Sequence, residues 1–586
     1  MKHCWQEASP PIPGYAERIA YETGLPLFLA NIVALRAKEQ WQSWLTPLQQ
    51  PLCDPFCLPG MISATHRILL AIQRHEPITV FGDYDVDGIT GTALLVQALT
   101  RLGATVKPFF PDRKREGYGL THAALLRCLT YPPRPSLVIT VDCGITSVDE
   151  TYMLRNMGID VVITDHHTLP AILPNANAIV TAQQLPEHHP VHNICGCATA
   201  FTLARALNST QQAQHIIETK FLDLTAIATI ADSVPLTGEN RIIVAKGLNL
   251  LGNKNGNRGL NALLRLQQLT FPLCTEQIAF SIIPCINAAS RVGDLKDAYR
   301  TIGLEHENSA QKLLEANHRR KEVERALYTA LLTQKPAPKP KEHVLILGGE
   351  NFEAGVIGIV ASRLMDHLGI PVALVCKTQD GGGHGSMRSC GNWHAVHALD
   401  TVSDLLTHYG GHAKAAGFTL KPNTYQAFIE RLPQAFHADK TEEPALYDAD
   451  LDHEPITLWL CQEILKLEPF GHGNNCPIFR GRFIIRSFRT VGKEGTHLST
   501  RLSPVNTPTQ TLKAIWFNSA PLVLAYWKLN RTIRLYFKLK IDTFNAPTPS
   551  LIILDAERCE GFNASIRRRK NHLRSFRRNQ TNGLKH

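Results

Sequence analysis

The sequence lacks any uninterrupted apolar run approaching the ~18–20 residues needed to cross a bilayer, so no membrane span is expected. Its first residues, MKHCWQEASPPIPGY, hold no basic segment followed by an apolar core, and no secretory leader is expected. Cysteine is sparse. The fourteen cysteines are scattered and none belongs to a paired C-x-x-C set, which excludes a zinc ribbon. Cys195 and Cys197, in "CGC", have no partner pair and read, like the others, as reduced thiols of a cytoplasmic protein. Acid is missing from Ile566 to His586, which carries eight Lys and Arg. This stretch supplies most of the net charge of +10 and leaves the remainder near +2. Two readings of it stay open: attraction to a polyanion by counterion release, or a solvated, disordered terminus.

At 586 residues the chain exceeds one ordinary core, and roughly 100–200 residues per domain gives three or four domains. Residues 1–60 mix short helical pieces with Pro-rich breaks and read as a helical extension. Residues 61–304 read as a first α/β domain. Its short apolar runs "ITVFGD", "LVITVD", "VVITD" and "NAIV" alternate with helical segments, the pattern of βαβ units on a parallel sheet. Residues 305–341 form a long helical pattern, with Leu313, Leu314, Val323 and Leu327 near one stripe, ending in the stiff "KPAPKPK" linker. A smaller α/β domain is expected over 342–440 and a small β-barrel over 441–560. The basic tail, 561–586, closes the chain.

Three runs of the first domain end in acid: Asp83, Asp85 and Asp87 in "DYDVDG", Asp142 in "VDCG", and Asp165 before His166 and His167 in "TDHH". In an open parallel sheet the carboxyl ends of the strands share one edge, where ligands bind. Like charges ~4 Å apart repel by about 4 kcal/mol even at an effective dielectric near 20, so such crowding calls for bound protons or cations. Carboxylates with imidazole suit Mn²⁺ or Mg²⁺, and more than four acids suit two ions, the arrangement used against phosphate esters. Gly88 is read as permitting a tight turn into the next helix. A calcium loop is rejected because its twelfth position falls on Leu94 rather than Glu. A surface acidic turn leaves the convergence of three strand ends unexplained.

These motifs resemble the DHH phosphoesterase family, and within it the RecJ-type single-stranded-DNA exonucleases, over roughly residues 75–560. "DYDVDG", "VDCGI" and "TDHH" match its first three motifs, and "DLTAIATIADSVPLTGENR" (223–241) looks like the fourth, with Asp232 as its acid. "PCINAASR" (284–291) resembles the close of the catalytic domain. "GVIGIVASR" (355–363), "GSMRS" (385–389) and "GGHAKAAGF" (410–418) resemble the associated DHHA1 domain. "LEPFGHGN" (467–474) and "GKEGTHL" (492–498) resemble the RecJ OB-like barrel. The implied fold is a parallel-sheet DHH domain, a long linking helix, a smaller α/β DHHA1 domain and an OB-like barrel.

The resemblance implies two Mn²⁺ or Mg²⁺ ions held by Asp85, Asp87, Asp142, His166 and Asp232, with Asp83 completing the set. The resemblance has His167 supporting that set among the catalytic residues; beside His166, His167 itself reads as a phosphate contact or hydrogen-bond donor, and Asp165 as its acceptor or as a simple helix cap. The implied reaction is hydrolysis of single-stranded DNA from a free 5′ end to mononucleotides, in DNA repair and recombination. The implied setting is a cytoplasmic monomer beside a single-strand-binding protein and a helicase, with no membrane partner. For the substrate phosphate the candidates are Arg291, then Arg388 with Ser386 and Ser389, and Gly410, Gly411 and His412, expected to open a helix whose N–H groups favour an anion. In the barrel, Trp516, Phe517, Phe483 and Phe488 are candidate stacking platforms, with Arg486, Arg489 and Lys493 nearby. Alternation of faces puts Trp516 opposite Phe517, and Phe483 opposite Phe488 unless a bulge intervenes.

The chain departs from the family pattern at Glu353 (usually His), Ser290 and Met387 (usually Gly), and "VTAQQ" (180–184), which lacks Asn-Pro. These changes bear on substrate preference rather than metal binding. Two alternatives remain: a DHH-family hydrolase or phosphatase of short oligonucleotides, and a non-catalytic DNA-binding scaffold. The complete acid set argues against the scaffold.

Overall fold

The computed structural model describes residues 5–8, 14–113, 115–117, 119–208, 210–253, 256–334, 343–436, 444–492, 495–524, 527–543 and 546–557. The "KPAPKPK" linker, Lys493 and the basic tail lie outside the described residues. The chain divides into two compact units, one of Thr46–Thr441 with Pro469–Asn474, the other of Met1–Leu45, Glu442–Glu468 and Asn475–His586.

The first unit is built on five parallel strands: Ile78–Gly82, Val106–Phe109, Leu137–Val141, Asp160–Thr164 and Ala178–Val180. Their spatial order is second, first, third, fourth, fifth, so the order in which strands are added reverses between the first and third strands. The strands read as apolar runs because both faces are covered. Ile78, Val80, Leu137 and Ile139 pack against the helices Met61–Gln73, Val86–Arg101 and Gly196–Ala206. Phe81, Val138, Val161 and Ile163 face Leu125 and Leu154 of the helices His122–Thr130 and Val148–Asn156. Full burial of such side chains contributes roughly 1.5–3 kcal/mol each.

The long helix Ser309–Gln334 joins two cores. Ala310 and Leu313 belong to the core of the first α/β domain, and Leu331 to that of the smaller one. That domain has a mixed sheet in the order Leu406–His412, Ala415–Leu420, Gly383–Arg388, Val372–Lys377, Leu345–Gly349. Gly410, Gly411 and His412 therefore end a strand and do not open a helix. Met387 and Ala416 on neighbouring strands are buried, and this sheet pairing outweighs the local Gly-Gly turn signal.

In the second unit Phe479–Val491, His497–Pro504, Leu512–Trp516, Thr548–Glu557 and Thr532–Asp542 pair in that order, and the last closes back on the first. The N-terminal strand Trp5–Glu7 pairs in parallel with Ala445–Tyr447. Trp5 stacks on Tyr536 at 4.3 Å and donates its indole N–H to Asp555 at 3.0 Å. Residues up to Leu45 thus group with the barrel. A pairing across more than 400 residues leaves no local pattern in the sequence.

Candidate metal centre and phosphate cleft

The register of the parallel sheet sets the site. The amide of Asp83 bonds to the Val141 carbonyl at 3.3 Å, that of Asp142 to Thr164 at 3.0 Å and that of Asp165 to Val180 at 3.3 Å, so all three acids leave the sheet at one level. They do so around the point where strand order reverses, the ligand-binding crevice of open α/β sheets. Asp85 is the N-cap of Val86–Arg101 and accepts from the Gly88 amide at 3.1 Å. Gly88 is needed here for space rather than for a turn, since a Cβ would lie 2.4 Å from the Asp83 carbonyl oxygen. Asp142 has φ of 62°, in the left-handed region that a non-glycine residue adopts at a cost. Asp232 ends the helix Gln211–Ala231.

All the metal candidates come together. Ligand atoms of Asp83, Asp85 and Asp142 lie within 4.8 Å of one another, as do those of Asp87, His166 and Asp232, and those of Asp142, His166 and His167. His166 Nε2 is 3.1 Å from Asp142 Oδ1 and 3.8 Å from Asp87 Oδ2, and its Nδ1 is 3.6 Å from Asp232 Oδ2. Asp165 is not among these sets. Its carboxylate accepts from the amides of Ile145 (2.9 Å) and His166 (2.7 Å) and pairs with His167 Nδ1 (2.7 Å). Burial works against charge on His167, yet the Asp165 hydrogen bond and charge raise it to about 9.

The cluster fits divalent cations. Burial first, then neighbouring acids, push Asp83 and Asp142 well above the usual carboxylate range, and Asp87 to about 6. Among the described residues Asp83 Oδ1 is buried without a hydrogen-bond partner, and buried His166 Nε2, though 3.1 Å from Asp142 Oδ1, makes no well-aligned hydrogen bond, a cost that a coordinated ion removes. Hard carboxylate oxygens with imidazole nitrogen suit Mn²⁺ or Mg²⁺.

Sequence reading missed the role of "CGC". The amides of Gly196 and Cys197, opening the helix Gly196–Ala206, donate to Asp87 at 2.7 and 2.8 Å. The helix N-terminus holds the carboxylate in place. The signal was a Gly between two small buried residues before an apolar helix, read only as thiol chemistry. The described cysteines are free.

A group of arginines lies near the acids. Arg291, on Ile283–Val292, donates to the Gly355 carbonyl at 3.1 Å, bringing the two α/β domains of this unit together. Burial, then Arg113, Arg320 and Arg388, lower its guanidinium to about 10. Strand pairing aligns His412 with Ala415 and Arg388, and Gly410 with Gly417 and Ser386. These alternate positions share one face of the sheet, with only small residues between them. Arg388 donates to Ser386 Oγ at 2.8 Å. Ser389 differs, since it is buried and spends its hydroxyl on the Trp393 carbonyl at 2.8 Å. Gly411, on the same strand, alternates to the other face.

In the barrel, Phe483 and Trp516 are core residues, while Phe517 is exposed. The pairing of Phe479–Val491 with His497–Pro504 shifts between Ile485 and Ser487. This bulge returns half-buried Phe488, opposite buried Thr500, to the face of Phe483.

Comparison with known proteins agrees with this architecture. The DHH family N-terminal domain matches residues 77–229, the DHHA1 domain 341–438 and the RecJ OB domain 447–555. The fold class expected from the sequence is borne out. The chain is 36% identical over 455 residues to the single-stranded-DNA-specific exonuclease RecJ of Thermus thermophilus, covering 76% of this chain and 65% of that protein. It thus spans just under two thirds of that relative's length. Its structure is similar to that of RecJ in complex with Mn²⁺ from Thermus thermophilus, with a TM-score of 0.79 and 29% identity, over 95% of this chain and 80% of that one. The same protein has also been solved with Mg²⁺. Against the Escherichia coli single-stranded-DNA-specific exonuclease RecJ the identity is 30% over 529 residues, 85% of this chain and 90% of that one. With that coverage, and with the three domains in order along one chain, the protein belongs to the RecJ family of DHH phosphoesterases.

Proposed function

We propose that the protein is a metal-dependent exonuclease that hydrolyses single-stranded DNA from a free 5′ end to 5′-mononucleotides. The observation that carries the reading is the convergence of Asp83, Asp85, Asp87, Asp142, His166 and Asp232 at the switch point of the sheet, beside Arg291 and Arg388. Mn²⁺ or Mg²⁺ held by these side chains would lower the pKa of water and offset charge on the phosphoryl group. The chain's own residues do the rest. Arg291 and Arg388 draw the phosphodiester into the cleft, and Ser386 orients the Arg388 guanidinium. His167, held cationic by Asp165, stands within reach of the acid cluster to donate to a phosphate oxygen. Asp87, fixed by two helix amides, keeps its carboxylate aimed as charge builds on the substrate.

The wider reading is a cytoplasmic monomer in DNA repair and recombination, working beside a single-strand-binding protein and a helicase. No helix among the described residues is long and apolar enough to cross a membrane. Mn²⁺ titration with 5′-phosphorylated single strands, duplexes and dinucleotides tests the activity. Release of mononucleotides from long single strands only is the expected result. Preference for the dinucleotide would favour a short-oligonucleotide hydrolase, and metal-independent binding without release a scaffold.

A further inference from the structure

Part of the segment "LEPFGHGN", which resembles the barrel in sequence, groups elsewhere. Pro469–Asn474 belongs to the first unit, while the residues before and after it, up to Glu468 and from Asn475, belong to the second. The loop is closed on itself. Gly471 and Asn474 exchange backbone hydrogen bonds at 2.9 and 3.1 Å, and the buried Asn474 side chain donates to the Pro469 carbonyl at 2.8 Å. Thr275 donates its hydroxyl to the Phe470 carbonyl. Held in this way, the loop meets the turn that follows Asp232. His472 touches that turn twice: its Nδ1 is 2.8 Å from the Ser233 carbonyl oxygen, and its own carbonyl accepts from the Leu236 amide at 2.7 Å. A carbonyl can only accept, so the imidazole carries a proton on Nδ1. Gly473, with φ of 72°, passes so close that a Cβ on it would lie 3.1 Å from the Pro235 Cβ. The turn needs this support. Ser233 has φ of 58°, again the left-handed region, and the helix Gln211–Ala231 has already ended. Asp87 is held by two helix amides and Asp85 by its N-cap, whereas Asp232, 3.6 Å from His166 Nδ1, takes its place from this turn.

We propose that His472 is a positioning residue for the metal centre: by clamping Ser233 and Leu236 it holds Asp232 where its carboxylate meets Asp87 and His166. The inference rests on the metal-dependent exonuclease reading and deepens it. A ligand fixed in advance loses less freedom when the ion binds, so the clamp acts on metal affinity. It acts through one N–H donor at the Nδ1 position and does not need the rest of the imidazole. His472 and Ser233 are both exposed, so removing the ring opens no cavity in the core.

The test compares the full wild-type chain with His472→Ala, His472→Phe and His472→Asn, whose amide nitrogen takes the place of Nδ1. Calorimetric titration with Mn²⁺, without any strand, reads metal affinity. The expected result is a Kd for Mn²⁺ raised roughly 10- to 100-fold in the Ala and Phe variants and restored toward wild type in Asn. The Mn²⁺ concentration that half-saturates hydrolysis of 5′-phosphorylated oligothymidylate should rise in parallel, with KM for the strand changed far less. In chelator all four chains should melt together. Unchanged Mn²⁺ affinity in the Ala and Phe variants overturns the proposal, and so does an Asn variant as weak as Ala. A raised KM with unchanged Mn²⁺ affinity makes His472 a strand contact instead, and a fall in the chelated melting temperature that tracks the lost affinity makes it a structural one; either overturns positioning. A wild-type chain that binds Mn²⁺ but hydrolyses no strand overturns the exonuclease reading alone, and one that binds no Mn²⁺ overturns both.

Discussion

Gly196 packs so tightly on Asp142 that a Cβ added to it would lie 2.5 Å from the Asp142 Cβ and 2.8 Å from its Cα. The same residue donates its amide to Asp87 at 2.7 Å. One glycine thus spaces two acids that arrive from different strands. Gly196→Ala is expected to displace both and lower Mn²⁺-dependent hydrolysis by about a hundredfold or more, with single-strand binding retained. Steady-state rates and fluorescence anisotropy check this; wild-type turnover would reject the spacing role.

Asp142 sits at the centre of the repelling set, its carboxyl pushed up by burial and then by Asp87, Asp85, Asp83 and Asp232. Asp142→Ala should abolish hydrolysis and leave strand binding measurable. In chelator, Asp142→Asn should melt at or above the wild-type temperature, because one buried charge has gone. Added Mn²⁺ should raise the wild-type melting temperature by several degrees and that of the variant much less, as binding to the folded state alone demands. Equal shifts in calorimetry would place the metal elsewhere.

Asp223 offers a pH test away from the acid cluster. Burial, opposed by the Asn257 and Leu224 amides, raises it to about 6. The folded chain therefore holds this proton more tightly than the unfolded chain. Its contribution is full below about pH 4, shrinks as pH rises toward 6 and is lost above that, an effect of at most about 3 kcal/mol. Urea melts of wild type and Asp223→Asn across this range should show the wild-type advantage falling with rising pH. A difference independent of pH would reject the assignment.

The barrel aromatics separate by burial. Phe483→Ala should destabilise the chain by about 3–5 kcal/mol, since the ring is enclosed in the core. Phe517→Ala, at an exposed ring, should leave the melting temperature nearly unchanged and weaken strand binding by about 1–3 kcal/mol if the ring stacks a base. Binding equal to wild type would remove Phe517 from the strand's path.

The sequence by itself determined the parallel sheet and the residues at its carboxyl edge. Near-continuous apolar strands ending in Asp83, Asp142 and Asp165 are local patterns, and topology alone sends their ends to one side. It also carried the long helix and the short barrel strands, whose periodicities are local. Only the tertiary structure decided that "CGC" serves as amide donors to Asp87, that Gly410–His412 ends a strand, that Ser389 turns inward, and that Trp5 belongs with the barrel. Each of these depends on what a distant segment places alongside. Hydrogen-bond partners and burial are set by packing across the chain, whereas strand and helix periodicity is set by neighbours a few residues away.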